Sequence, residues 1–92
     1  MIYRLSIPDE IREIVRHQSP VAKQKINAAW DAILENPYSG KVLQDQLHGT
    51  RSYVIPPFRV IYEIKLQQVR VLAIGLRKTV YDDFTRQLEK SK

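Results

Sequence analysis

Two apolar alternating runs joined by a very short connection constrain this chain more than anything else in it. Phe58 to Lys65 (FRVIYEIK) and Val69 to Leu76 (VRVLAIGL) are rich in β-branched and aromatic residues with period two. Leu66-Gln67-Gln68 between them is far shorter than the roughly dozen residues a parallel crossover requires. The runs must therefore pair as an antiparallel hairpin. The wider stretch from Arg51 to Phe84 carries Arg51, Arg59, Lys65, Arg70, Arg77 and Lys78, and Glu63 is its only acid before Asp82. So cationic a strand pair is either a solvated sheet face or a surface that handles phosphate.

The remaining elements follow from local signals. Ile2 to Ile7 alternates and reads as a short strand. Pro8-Asp9-Glu10 opens a helix, with acids at the positive end of its dipole and Ile11, Ile14 and Val15 as its apolar stripe. Ser19-Pro20 opens a second helix, serine as N-cap and proline in the first turn. Ala22, Ile26, Ala29, Trp30, Ile33 and Leu34 give that helix a wide buried face, which makes Trp30 a core anchor, and Asn36-Pro37 ends it. A connector from Tyr38 to Gly49 is pinned by Leu43 and Leu47. Ser52 to Ile55 is a brief strand, Pro56-Pro57 a bend, and Thr79-Val80-Tyr81-Asp82 a capping box opening a short helix with Val80, Phe84 and Leu88 as its stripe.

This order predicts an α+β fold: an N-terminal strand, a helical hairpin, then a mainly antiparallel twisted sheet and a short C-terminal helix. Residues 1–92 read as one domain, large enough for one core. The chain has no cysteine, hence neither disulfide nor thiolate ligand. The two histidines, His17 and His48, are isolated, so no metal site is expected. No phosphate loop, dinucleotide fingerprint or catalytic Ser-His-Asp set is present, and no cofactor is expected. No apolar run approaches the roughly 20 residues of a membrane span, and the N-terminus lacks a secretory pattern, so a cytoplasmic location is expected.

Net charge is +5, and residues 1–40 contribute nothing to it, with five acids against five bases. The excess lies in residues 41–92, where ten bases face five acids. Strand parity assigns the cations to a face. Val60, Tyr62 and Ile64 are expected against the helices, leaving Arg59, Ile61 and Glu63 on an uncovered side. In the next strand Leu72, Ile74 and Leu76 make the bulkier set and are expected in the core. Val69, Val71, Ala73, Gly75 and Arg77 then face outward with Arg59, and Tyr81 follows at the mouth of that face. Two arginines and a tyrosine so placed can grip a phosphodiester. An Arg59–Glu63 sheet pair amid scattered surface charge is the plainer reading.

The string LHGTRSY, FRVIYEI and VRVLAIGLRKTVY resembles the RelE/ParE superfamily of bacterial and archaeal type II toxins. The matching features are Leu47 and Gly49, Phe58 to Tyr62, Gly75 to Arg77, and Val80-Tyr81. The helical hairpin ending at Asn36-Pro37 fits the same layout. The ending I-G-L-R-K-x-V-Y looks more like the RelE branch, the ribosome-dependent mRNA endonucleases, than the gyrase-poisoning ParE branch. The resemblance implies a RelE-like, microbial-RNase-like fold. It implies that Arg59 and Arg77 hold the scissile phosphate, that Tyr81 stacks on or orients a nucleotide, and that no metal is needed. It also implies ribosome and mRNA as partners and a wrapping antitoxin. RelE enzymes usually carry basic residues after the tyrosine of the short strand, where this chain has Val54 and Ile55; Arg51 and Lys78 are the candidates to supply that charge at the substrate.

Overall fold

The computed structural model describes residues 2–44, 47–76 and 79–90, with backbone alone for Asp82, Asp83, Gln87, Glu89 and Lys90. The elements are β1 (Arg4–Ser6), α1 (Asp9–Arg16), α2 (Pro20–Glu35), a 3₁₀ turn (Pro37–Ser39), β2 (Lys41–Val42), β3 (Arg51–Ile55), β4 (Phe58–Lys65), β5 (Gln68–Leu76) and α3 (Val80–Lys90). They form one sheet in the order β1-β5-β4-β3-β2, antiparallel except where β1 runs parallel to β5. The expected α+β order is what the chain adopts, with the two-residue β2 as an addition inside the connector. No described helix is long and apolar enough to cross a membrane.

Local chemistry sets the helix boundaries. The Ser19 Oγ accepts from the Ala22 N–H at 3.2 Å, satisfying one of the orphan donors at the start of α2, and Pro20 occupies a position that needs no donor. Asn36 ends α2 and turns its own side chain onward, Oδ1 accepting from the Tyr38 N–H at 3.3 Å. Thr79 stands directly before α3, where the capping pattern puts it; the Asp82 side chain of that pattern lies outside the described residues.

The sheet has a core on each face. On one side, Ile11 of α1 and Ile26, Ala29, Trp30 and Ile33 of α2 cover Ile55, Val60, Tyr62, Val69 and Val71. On the other side, Val80 and Phe84 of α3 bury Ile61, with Leu72, Ala73, Leu43 and Leu47 around them. The face expected to be open is therefore partly covered, and Ile61, assigned outward, is fully buried beneath α3.

Parity through β5 also needs correction. Ile61 pairs with Ala73 but Tyr62 pairs with Val71, so Leu72 is an extra residue that interrupts the ladder. Before it, Val69 and Val71 point into the α1–α2 core while Arg70 is exposed. Beyond it, Ile74 packs on the α1–α2 core and Ala73 on the α3 side. Val69 and Val71 were expected outward and Leu72 inward among the helices; the bulge reverses all three.

A phenol ties the helical layer to the sheet. Tyr62, wholly buried, donates from its hydroxyl to the Pro37 carbonyl at 2.6 Å and accepts from the Gly40 N–H at 3.1 Å. A Cβ on residue 40 would stand 2.3 Å from that hydroxyl oxygen, so only glycine fits. Burial raises the Tyr62 pKa above the usual 10.0, against the opposing pull of the Gly40 N–H and the Arg51 charge.

Replacing Tyr62 by Phe strands a buried carbonyl and a buried N–H, and is expected to lower unfolding free energy by about 1–3 kcal/mol in urea titrations. The pH dependence has a defined sign, because the folded phenol keeps its proton after the unfolded one has lost it. Its contribution is complete below pH 10 and is lost as pH rises through the folded pKa, so thermal stability should fall on that side and fall less in the Phe variant. At the β4–β5 turn, Leu66 sits at φ 56° with its side chain 97% exposed. Asparagine tolerates that left-handed backbone and no packing is at stake, so Leu66→Asn should stabilise the chain by about 0.5–1 kcal/mol in the same assay.

Candidate functional site

Arg59 lies on the α3 side of β4, paired with Val54 of β3 on one flank and Gly75 of β5 on the other. Directly paired residues share a face, so what stands at 54 and 75 decides what can approach the arginine. Gly75 makes the site possible. A Cβ there would come within 3.3 Å of Val80 Cγ2, closer than ordinary packing. Without it Val80 buries against the sheet at the first residue of α3, and the next residue, Tyr81, is delivered to Arg59.

The two side chains are in close contact. Arg59 Nη1 donates a short hydrogen bond to the Tyr81 hydroxyl, and its guanidinium carbon lies 5.1 Å from the centre of the Tyr81 ring. Arg59 Nε is buried and has no hydrogen-bond partner among the described residues. A cationic N–H removed from water is costly to leave unpaired, so an anion reaching it would be a favourable partner. Glu63, expected beside Arg59, instead pairs across the hairpin with Arg70 at 3.4 Å. The register requires this, since Glu63 and Arg70 are direct neighbours.

The other sequence candidates separate. Arg51 pairs with Tyr62 and shares its face, on the opposite side of the sheet from Arg59. There its Nη1 donates to the carbonyls of Tyr38 at 3.1 Å and Gly40 at 2.9 Å, and the guanidinium covers the Tyr38 ring at 5.1 Å. It is a clamp on the turn after α2 and is not brought to the Arg59 site. Arg77 and Lys78 lie outside the described residues. Sequence reasoning missed that α3 shares this face, although a signal existed: the Val80-Phe84-Leu88 stripe had to cover something, and Ile61 had the parity of Arg59.

Comparison with known proteins bears on the family and the fold. The family model of the ParE toxin of type II toxin–antitoxin systems, parDE, matches residues 3–81. The chain belongs to that family and is a type II toxin of the RelE/ParE superfamily. Among solved structures it is similar to a chain of the RelBE2 toxin–antitoxin complex from Mycobacterium tuberculosis, at 22% identity and a TM-score of 0.71, covering 84% of this chain and 100% of that one. It is also similar to a free-state arginine-to-alanine double mutant of the E. coli toxin RelE, at 15% identity and a TM-score of 0.74, covering 95% of this chain and 98% of that one. These likenesses establish the fold. No curated protein matches the chain.

The contrasting surroundings of the two arginines give opposite expectations for stability. Arg51→Ala removes two hydrogen bonds from a charged donor and should cost about 1.5–3 kcal/mol by urea denaturation. Arg59→Ala gives up the hydrogen bond and ring contact to Tyr81 but relieves a buried unpaired N–H, and should change stability by less than about 1 kcal/mol.

Proposed function

We propose that this toxin cleaves mRNA on the ribosome, in the cytoplasm, and is neutralised by an antitoxin that wraps it. The observation that supports this reading is the Arg59 guanidinium, held by the Tyr81 hydroxyl and ring with a buried N–H to spare. In the proposed reaction a ribose 2′-hydroxyl attacks the adjacent phosphorus. The new P–O2′ bond forms as the P–O5′ bond breaks, and the products are a 2′,3′-cyclic phosphate and a 5′-hydroxyl. The 2′ proton leaves and the departing O5′ gains one. Arg59 carries the charge that grows on the phosphoryl oxygens, where one well-placed donor is worth roughly 2.7–4 kcal/mol. Tyr81 keeps that guanidinium aimed and offers its ring to a base. Arg77, two residues beyond Gly75 in the chain, is assigned the second phosphate contact.

A second reading, inhibition of DNA gyrase by binding, has its own support. The family matched is that of ParE toxins, and Val54 rather than a cation stands opposite Arg59. The acid of the same strand, Glu63, is paired with Arg70 and is thereby drawn away from acting as a base beside Arg59.

In vitro translation of a defined mRNA, with 5′ ends mapped by primer extension, separates the two. Ribosome-dependent cuts are expected, falling by about 10²–10³-fold in Arg59→Ala and in Arg77→Ala. Tyr81→Phe keeps the ring and should lose less. Absence of cuts together with gyrase-linked DNA breaks decides for the second reading.

A further inference from the structure

The end of the sheet farthest along β4 from Arg59 carries the two most exposed large apolar side chains among the described residues, Leu66 and Ile2, the latter 85% exposed. Leu66 belongs to the β4–β5 turn. β1 runs parallel to β5 with Arg4 opposite Gln68, and the Arg4 N–H donates to the Gln67 carbonyl at 2.8 Å. Ile2, two residues before Arg4, and Leu66, two before Gln68, therefore lie at the same end of the sheet. Backbone conformation sets Leu66 apart. Its φ of 56° is left-handed, a region that disfavours bulky side chains and suits glycine or asparagine. Packing could repay that cost, yet the side chain is buried against nothing in this chain. An apolar residue both strained and uncovered points to a contact made outside the molecule.

Charge surrounds this tip. The hollow beside the turn is lined by Arg4, Lys65, Leu66, Gln67 and Gln68, with no carboxylate among the lining residues. Arg4 and Lys65 are exposed, and neither has an ion-pair partner among the described residues. Glu63, the acid of β4, is engaged by Arg70. Two aliphatic side chains and two unpaired cations thus share one protruding end of the sheet.

That combination selects for a particular partner. A single-stranded nucleic acid gains from aromatic platforms, and aliphatic side chains offer it none. A lipid surface meets both halves of the tip. Its anionic headgroups attract the cations, the hydrocarbon beneath accepts leucine and isoleucine, and long basic side chains reach back to the headgroups. We propose that this tip rests on an anionic lipid surface, with Leu66 and Ile2 entering the boundary between headgroups and acyl chains and Arg4 and Lys65 on lipid phosphates. The protein lies on such a membrane and does not cross it. Two aliphatic side chains hold less tightly than one acyl chain, whose association constant is about 10⁴ M⁻¹, so attachment is reversible. Arg59 stands six residues before Lys65 in β4, about 20 Å away by the rise of a strand. A chain docked by its tip therefore keeps the Arg59–Tyr81 pair in water, whether that pair acts on RNA or on gyrase.

The test is co-sedimentation of the full chain with sucrose-loaded vesicles, made of phosphatidylglycerol and phosphatidylcholine in equal parts or of phosphatidylcholine alone. The chain should sediment with the anionic vesicles, with affinity about tenfold lower in Leu66→Asn and about fivefold lower in Lys65→Gln. Ile2→Ser should weaken binding in the same direction. Leu66→Asn also relieves the left-handed backbone, so its melting temperature should rise while its lipid binding falls, a pairing that damage to the fold cannot produce. The proposal is overturned by equal binding to both kinds of vesicle, by undiminished binding of Leu66→Asn, or by no sedimentation up to about 5 mM lipid. It is equally overturned if a short RNA oligonucleotide shifts the ¹⁵N amide signals of Leu66, Gln67 and Gln68 and phosphatidylglycerol bicelles do not.

Discussion

The arrangement of this molecule depends on a cross-strand pair, Arg51 and Tyr62, that reaches out of the sheet to hold the turn after α2. Four backbone groups of that turn are bound by the two side chains: the carbonyls of Pro37 and Tyr38, and both the N–H and the carbonyl of Gly40. A turn between helix and sheet has polar backbone to satisfy and little regular structure to satisfy it with. Here the sheet supplies the missing partners. The helix layer is thereby fixed in height and position over β4, and β2 is aimed at β3.

Where the sequence was legible, each signal had one physical meaning. Ser19-Pro20 caps a helix for reasons internal to four residues, Asn36-Pro37 ends one, and the β4–β5 connection is too short for anything but a hairpin. Trp30 in its stripe had to be core. What was not legible needed long-range register. Leu72 satisfies either face, so alternation passes through it without a visible break, and the bulge shows only when the partner strand is in place. The partners of Glu63 and Arg51 are of the same kind. A carboxylate four residues from an arginine along one strand looks like its mate until the neighbouring strand presents a closer one.

The candidate site is built from the smaller of the two cores. Ile61, Val80 and Phe84 make a compact cluster, and Arg59 with Tyr81 stands at its rim. The arginine is positioned by the sheet and its tyrosine by the helix, so the pair reports whether α3 is seated. Secondary contacts elsewhere are redundant by comparison: α1 and α2 share a long apolar seam with the sheet, whereas α3 rests on one side-chain stripe. The two faces thus differ in weight, one holding the larger core and the other a smaller one with Arg59 and Tyr81 at its rim.

The bulge at Leu72 decides which residue stands beside Arg59. With the extra residue, counting along the ladder from Tyr62 and Val71 brings Gly75 opposite Arg59. Were Leu72 itself paired with Ile61, the same count would bring Ile74 there, a branched side chain where Val80 now descends. The phase of one strand, set by a single unpaired leucine, therefore determines whether a helix can land on the sheet at all. A deletion of Leu72 would close the ladder and still bring Gly75 to Arg59, whereas drawing Leu72 into the ladder opposite Ile61 would leave every motif of the sequence intact and part the arginine from its tyrosine.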